Sequence, residues 1–516
     1  MRRQEIRLLA QARQGDVRAR CEVGRRYLLG VDGFARHPAS GIEHLRQAAL
    51  SDPAAAATIL AECLPLHELL EAGQHEALAR AATNGSPTAQ ARFGAWLCTR
   101  DYASGEGRRW LSLASAAGHA GALAALNALA VSPPEGAVLA VLRTLDASGD
   151  LDGRALARIG TAQAREAGDL QQLTRCLSAA LALAGSLTAE LADDVVAAVR
   201  LAQVARLPLR GLDLEAVRES LEQRAAHGDQ DAAFIVGRAL CGIAVDGLPA
   251  ALFAEHQNMR KGTAFLLRAA DAGCDEAWLH LYRLHADHRL SVANPPMARF
   301  FLEKAALCGQ AEAQRKLGAL LLRSAATIAE SEQAIHWLHA AAAQGDGHAA
   351  ALQRSLVLPL AGSDAEAAWA ASQARAADPW LAARLALSRA FGLTKLEALS
   401  VDPVEGLRPW GLVVGRNPFI VQARLSAPRA IPALSAEAMQ TAERVSALFQ
   451  QLRGDGAGAE GDLRNRSLRQ RRLFERLGLD EALFFADVSS MTLEALRLGA
   501  KWAHRARLPL NEALAA

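Results

Sequence analysis

Four times along this 516-residue chain the same phrase appears: a ring or other apolar side chain, three variable residues, Ala-Ala or Ala-Ser, two variable residues, then Gly. The copies are Trp110…Ala114-Ser115…Gly118, Phe265…Ala269-Ala270…Gly273, Phe301…Ala305-Ala306…Gly309 and Trp337…Ala341-Ala342…Gly345, and the last three stand 36 residues apart. A fixed period of that length predicts helical hairpins laid side by side, each covering the apolar flank of its neighbour. Composition agrees. Alanine exceeds a fifth of the residues, Tyr occurs three times and β-branched residues are sparse, so intrinsic propensity favours helix over most of the length.

Each unit pairs a first helix carrying an apolar-Gly or apolar-Ala step with a second helix that ends in the phrase. In the first unit, where the phrase is incomplete, the first helix runs through Ala19, Val23, Gly24 and Tyr27, the loop is Gly30-Val31-Asp32-Gly33, and the second helix holds His44…Ala48-Ala49. There Asp52 replaces the closing Gly, so Asp52-Pro53 must end the helix by another route, since the residue before Pro disfavours helical angles. The ring is expected to fill the gap between neighbouring hairpins and the alanines to lie where helix backbones cross.

Taken together, Ala19/Gly24/Tyr27, Ala89/Gly94, Ala233/Gly237, Ala277/Tyr282 and Ala313/Leu317/Gly318, each followed by its second-helix phrase, resemble the Sel-one-like repeat family, a branch of the tetratricopeptide-like solenoids. The resemblance covers roughly 15–120 and 228–350, with an insertion around Gly247 to Lys261. It implies an all-α fold, an α-solenoid of stacked antiparallel helical hairpins. The expected organisation is 1–130 N-terminal helical repeats, 131–222 degenerate helical hairpins, 223–380 central helical repeats, and 381–516 a C-terminal helical region. That last region departs from the pattern. Trp410–Val414 and Phe419–Leu425 are β-prone runs joined by Gly415-Arg416-Asn417-Pro418 and framed by Pro403, Pro409, Pro428 and Pro432, which predicts an inserted β-hairpin near 410–425.

Charge narrows the function. Fifty-seven basic and 55 acidic side chains leave a net charge of +2, which gives no global attraction to nucleic acid or an anionic membrane. The densest local cluster, Arg464, Arg466, Arg469, Arg471, Arg472 and Arg476, lacks an aromatic stacking partner. It supports an alternative reading, a regulatory protein whose basic C-terminal region binds nucleic acid. The longest apolar stretch, near Leu177 to Ala189, is too short for the ~20 residues of a membrane helix. Seven scattered cysteines and a charged amphipathic N-terminus suit a cytoplasmic protein, and five lysines against 52 arginines suit a bacterial one. His280, His285 and His288 lack the i, i+4 spacing of a helical metal pair, so no metal is expected. No nucleophile motif and no phosphate loop occurs, so neither catalysis nor a cofactor is expected.

The resemblance implies an adaptor or scaffold role and a partner groove lined by the first helix of each unit. Carried onto this chain, the groove positions are Cys21, Arg25, Leu28 and Leu29 around Gly24, Arg238 beside Gly237, and Arg315, Ala319, Leu322 and Arg323 around Gly318. Glu276, His280 and Arg283 fall there in the unit where Leu279 replaces Gly. Such a groove is locally basic, and arginine pairs bidentately with carboxylates, so the expected ligand is a protein or acidic peptide. Reversing Arg315 and Arg323 to Glu should then abolish capture without unfolding.

Overall fold

A computed structural model describes residues 3–415, 428–455, 460–497 and 507–515. These residues are helical apart from one small sheet, and the chain divides into two compact units, Met1–Cys274 and Asp275–Ala516.

In the first unit the most intimately packed pairs are Val17–Leu29 with Pro38–Ala48, Pro87–Arg100 with Glu106–Ala116, Gly153–Ala167 with Leu170–Ala184, and Gln230–Leu240 with Met259–Asp271. Further helices stack between them, including Ala189–Ala205 in the stretch where the phrase is lost. Two glycines meet at three of these four hairpin crossings. A Cβ on Gly94 would lie 2.9 Å from the Gly107 carbonyl oxygen, and one on Gly107 would lie 2.7 Å from that of Gly94 and 2.5 Å from Cys98 Sγ. Gly24 meets Gly41 and Gly237 meets Gly262 in the same way. The backbones therefore cross at a first-helix Gly against a Gly near the start of the second helix, not at the alanine doublets. Ala269 and Ala270 are instead buried further along their helix, next to its end.

The closing Gly of each phrase ends its helix through left-handed backbone, with φ of 89° at Gly118, 104° at Gly273, 84° at Gly309 and 89° at Gly345. At Gly345 its N–H donates to Ala342 O at 2.9 Å and the next N–H, of Asp346, donates to Ala341 O at 3.2 Å. That pair of bonds satisfies carbonyls the helix end would otherwise leave open. Asp52 manages without Gly: its own N–H bonds Ala48 O at 2.9 Å, while its carboxylate accepts from Ala55 N at 3.0 Å and starts the helix Pro53–Cys63.

Burial also governs the thiols. Cys98 and Cys176 flank Thr99, and desolvation pushes both up to about 12. Cys308 is exposed. Mass-resolved alkylation of the native chain at neutral pH is expected to modify Cys308 first and to spare Cys98 and Cys176 until denaturant is added. Early labelling of either would contradict this packing.

The second unit opens with the hairpins Asp275–Ala286/Pro295–Leu307 and Ala311–Ser324/Ile328–Ala343, followed by Gly347–Arg354. In the second hairpin Gly318 crosses against the Ala334 carbonyl, 2.9 Å from where a Cβ would stand. Beyond lie Asp364–Ala377, Pro379–Phe391, Lys395–Ser400, Ala436–Asp455 and Leu463–Leu477, which share a core with the sheet. The strands β1 (Leu407–Arg408), β2 (Gly411–Val414) and β3 (Arg429–Pro432) are antiparallel in the order β1-β2-β3, with Leu412 opposite both Leu407 and Ile431. The expected hairpin is thus corrected. Its first run is β2, but the strand paired with it there is Arg429–Pro432, and the second predicted run, 419–425, lies outside the described residues. Pro432, which bars helix, fits strand β3 because β3 is the last in the sheet order.

Two interior arginines fasten this region. Arg384 donates to Ala398 O at 3.0 Å and Val401 O at 2.8 Å, forks onto the Glu460 carboxylate and stacks 5.0 Å over the Phe449 ring. Arg429 on β3 donates to Gly392 O at 3.1 Å and Glu397 Oε2 at 3.2 Å. Arg408 on β1 joins the sheet to the Ile328–Ala343 helix through Glu332 at 2.8 Å.

Candidate partner-binding faces

Each predicted groove residue takes a definite place. Arg25 is partly exposed and forks onto Glu22 with two bonds of 2.9 Å, while Arg26 adds a third of 2.7 Å. These hydrogen bonds, Arg25's the strongest, hold Glu22 at about 2, far below the usual carboxylate range. Cys21 and Leu28 are buried and Leu29 is exposed. Arg238 folds back over the Phe234 ring at 5.4 Å and donates to Ala244 O in the 241–258 connection. In the first unit both groove arginines are therefore already bonded to the chain itself.

In the second unit Glu276 is exposed and His280 half-buried. Arg283 is half-exposed and reaches from its own helix to Glu312 on the next first helix, at 2.6 Å. Glu312 also holds Lys316 at 3.1 Å. Arg323 is exposed in the last turn of Ala311–Ser324 and makes no ion pair among the described residues. Ala319 and Leu322 are buried.

Arg315 departs from expectation. It is only 3 % exposed, with Nε 3.1 Å from Oδ2 of Asp346, the residue that caps Gly347–Arg354. One turn before the crossing Gly318 a side chain points at the next first helix instead of at solvent, so Arg315 braces two successive repeats. Its reversal to Glu would set a carboxylate against Asp346 in the interior, and unfolding, not clean loss of binding, is the consequence. The same repeat-to-repeat bracing recurs in the first unit, where Arg158 meets Glu190 at 2.6 Å and Arg165 meets Asp194 at 2.7 Å.

The arginine-dense helix Leu463–Leu477 divides by depth. Arg466 donates to Leu399 O at 2.9 Å and lies 3.3 Å from Glu460, and Arg469 lies 3.5 Å from Asp378. Arg464, Arg471, Arg472 and Arg476 are exposed, with Glu475 among them. Two of the six charges thus serve the fold. His285 packs its ring on Phe301, centroids 5.1 Å apart, and burial holds its pKa below the ordinary value. Among the described residues no helix is long and apolar enough to cross a membrane.

Sequence reasoning found the first-helix glycines but missed their mates Gly41, Gly107 and Gly262. Their signal was present as a second Gly near the start of each second helix. It also missed a groove of about 610 Å³ between Ile328–Ala343, Gly347–Arg354 and the start of Ala436–Asp455. No local pattern announces that groove, because its walls are some 90 residues apart in the chain.

No family model matches the chain, and no curated protein matches it. Among solved structures it is similar to a protective antigen present in uropathogenic Escherichia coli strains displaying an SLR fold, with 18 % identity over 98 % of this chain and 97 % of that one and a TM-score of 0.29. It is also similar to the Sel1 repeat protein from Oxalobacter formigenes, with 21 % identity over 68 % of this chain and 89 % of that one and a TM-score of 0.26. The chain is a helical-repeat protein, an architecture that its own hairpins establish.

Proposed function

We propose that the chain is a non-catalytic scaffold or adaptor that holds a protein partner, through an acidic segment, on the exposed first-helix positions of the Asp275–Ala516 unit. The observation that carries the reading is Arg323, an exposed guanidinium with no ion pair among the described residues on a helix whose other arginine is interior. Arg283 supports it. Its pair with Glu312 is solvent-accessible, and exposed pairs contribute only about 0–1 kcal/mol, so an incoming carboxylate can take Glu312's place at little cost. Scattered reduced cysteines and the preference for arginine over lysine support a bacterial cytoplasmic setting.

The test uses the full chain and a fluorescein-labelled oligoglutamate peptide in an anisotropy titration at two salt concentrations. R283E/R323E is expected to weaken binding by about tenfold or more and to flatten the salt dependence, with an unchanged thermal midpoint. Equal binding by the variant and the parent overturns the assignment.

A further inference from the structure

The 610 Å³ groove in the second unit holds features that packing alone does not explain. Its floor is small and apolar: Ala342, Ala343, Ala350, Leu434 and Met439, with Leu434 44 % exposed. Into this floor is set Gln353, a residue only 3 % exposed whose carboxamide nitrogen has no hydrogen-bond partner. A buried amide donor left open costs on the order of 1–3 kcal/mol, and such groups in native proteins call for a ligand or another explanation. His339, which also lines the groove, likewise has a buried Nδ1 without a partner, and desolvation keeps its ring toward the neutral form.

The charges along the groove are ordered. One wall is the helix Ala436–Asp455, whose first residue lines the groove with Ser435 before it, so the positive end of a twenty-residue helix borders the cavity, with Ser435 Oγ accepting from Ala438 N at 3.1 Å. Ala436, Met439, Gln440 and Glu443 follow on the same face. Glu443 stands seven residues, about 10 Å of helix rise, beyond the anion-favouring end. Glu443 and Arg354 are exposed and neither forms an ion pair among the described residues. A site with donors at one end, a small apolar floor and an acceptor about 10 Å away matches roughly three residues of extended chain. Its terminal carboxylate would meet the helix start and the Gln353 amide, and its backbone N–H groups would point toward Glu443.

We infer that this groove binds the free C-terminus of an extended peptide with small apolar side chains, at a surface separate from the Arg283 and Arg323 positions. The test is fluorescence anisotropy on the full chain with an N-terminally fluorescein-labelled Ala-Leu-Ala-Ala-Leu-Ala peptide, compared with the same peptide ending in an amide. The free acid is expected to bind at least about tenfold more tightly, since a charged acceptor gains more from the open donors than an amide does. Q353L should reduce acid binding about tenfold while leaving or raising the thermal midpoint, because it removes an unsatisfied buried group. E443K, at an exposed position, should weaken binding without touching the core. Equal affinity for acid and amide, binding unmoved by both variants, or no binding of either peptide overturns the inference. Displacement by hexanoate as effective as by unlabelled peptide also overturns it, in favour of a small carboxylic acid.

Discussion

Replacing Glu397 with alanine is expected to lower the unfolding free energy of the second unit by about 3–5 kcal/mol, read as a shifted urea midpoint through tryptophan fluorescence. Trp410, 4 % exposed and adjacent to β2, reports on that core. The size follows from burial. The Arg429 side chain is 1 % exposed and that of Glu397 4 %, so deleting the carboxylate takes a buried charge partner away from an interior guanidinium. The same carboxylate accepts from Thr394 N at 3.0 Å and completes the capping box of Lys395–Ser400, so the helix start fails with it. Glu397→Gln retains the cap geometry without the charge and should fall between. The double replacement E397L/R429M should recover much of the loss, because it deletes both charges and keeps the volume. A midpoint unmoved by Glu397→Ala would show that water reaches Arg429 and that the pair is not sealed.

Gly107→Ala is the second large effect, about 1–3 kcal/mol of destabilisation, with Gly107→Val costing more. A Cβ there meets Cys98 Sγ, the Gly94 carbonyl oxygen and the Cys98 nitrogen, all under 3 Å. Two of those three atoms are backbone, so relief requires the helices Pro87–Arg100 and Glu106–Ala116 to part. Gly94→Ala should cost a similar amount, and the double variant should cost less than the sum, since one separation accommodates both methyl groups. Gly118→Ala is the control. Nothing stands within 4 Å of its Cβ position, so its cost is the left-handed φ alone, about 1–2 kcal/mol. Thermal midpoints of the three variants separate close approach from backbone conformation.

Sequence and structure part company along a physical line. Helix content, hairpin pairing and the Gly that closes each unit are local consequences of propensity and φ, and the phrase from Trp337 to Gly345 carries all three. The partner of β2 was not legible in that way. Val413 pairs with Ala430 because register and burial favour it across a 14-residue connection, whereas a nearest-neighbour hairpin rule looks no further than 425. Arg315 shows the matching limit for the site. The offset from Gly318 placed it on the right helix, but whether it faces solvent depended on Asp346, 31 residues on, turning to meet it. The groove around Gln353 needed contacts between the 350s and the 430s, which no period in the chain encodes.

The glycine crossings have one further consequence. The connection between helices that meet at a glycine crossing ranges from five residues at 101–105 to eighteen at 241–258, and the longer link, with Leu252 and Phe253 tucked inward, still leaves a close Gly237–Gly262 approach like the Gly94–Gly107 one. Alignment within a hairpin is thus set at the bare backbone contact and is insulated from whatever sequence spans its tip. New segments grafted between Arg100 and Glu106 can lengthen that edge of the molecule while the crossing beneath them keeps its gauge.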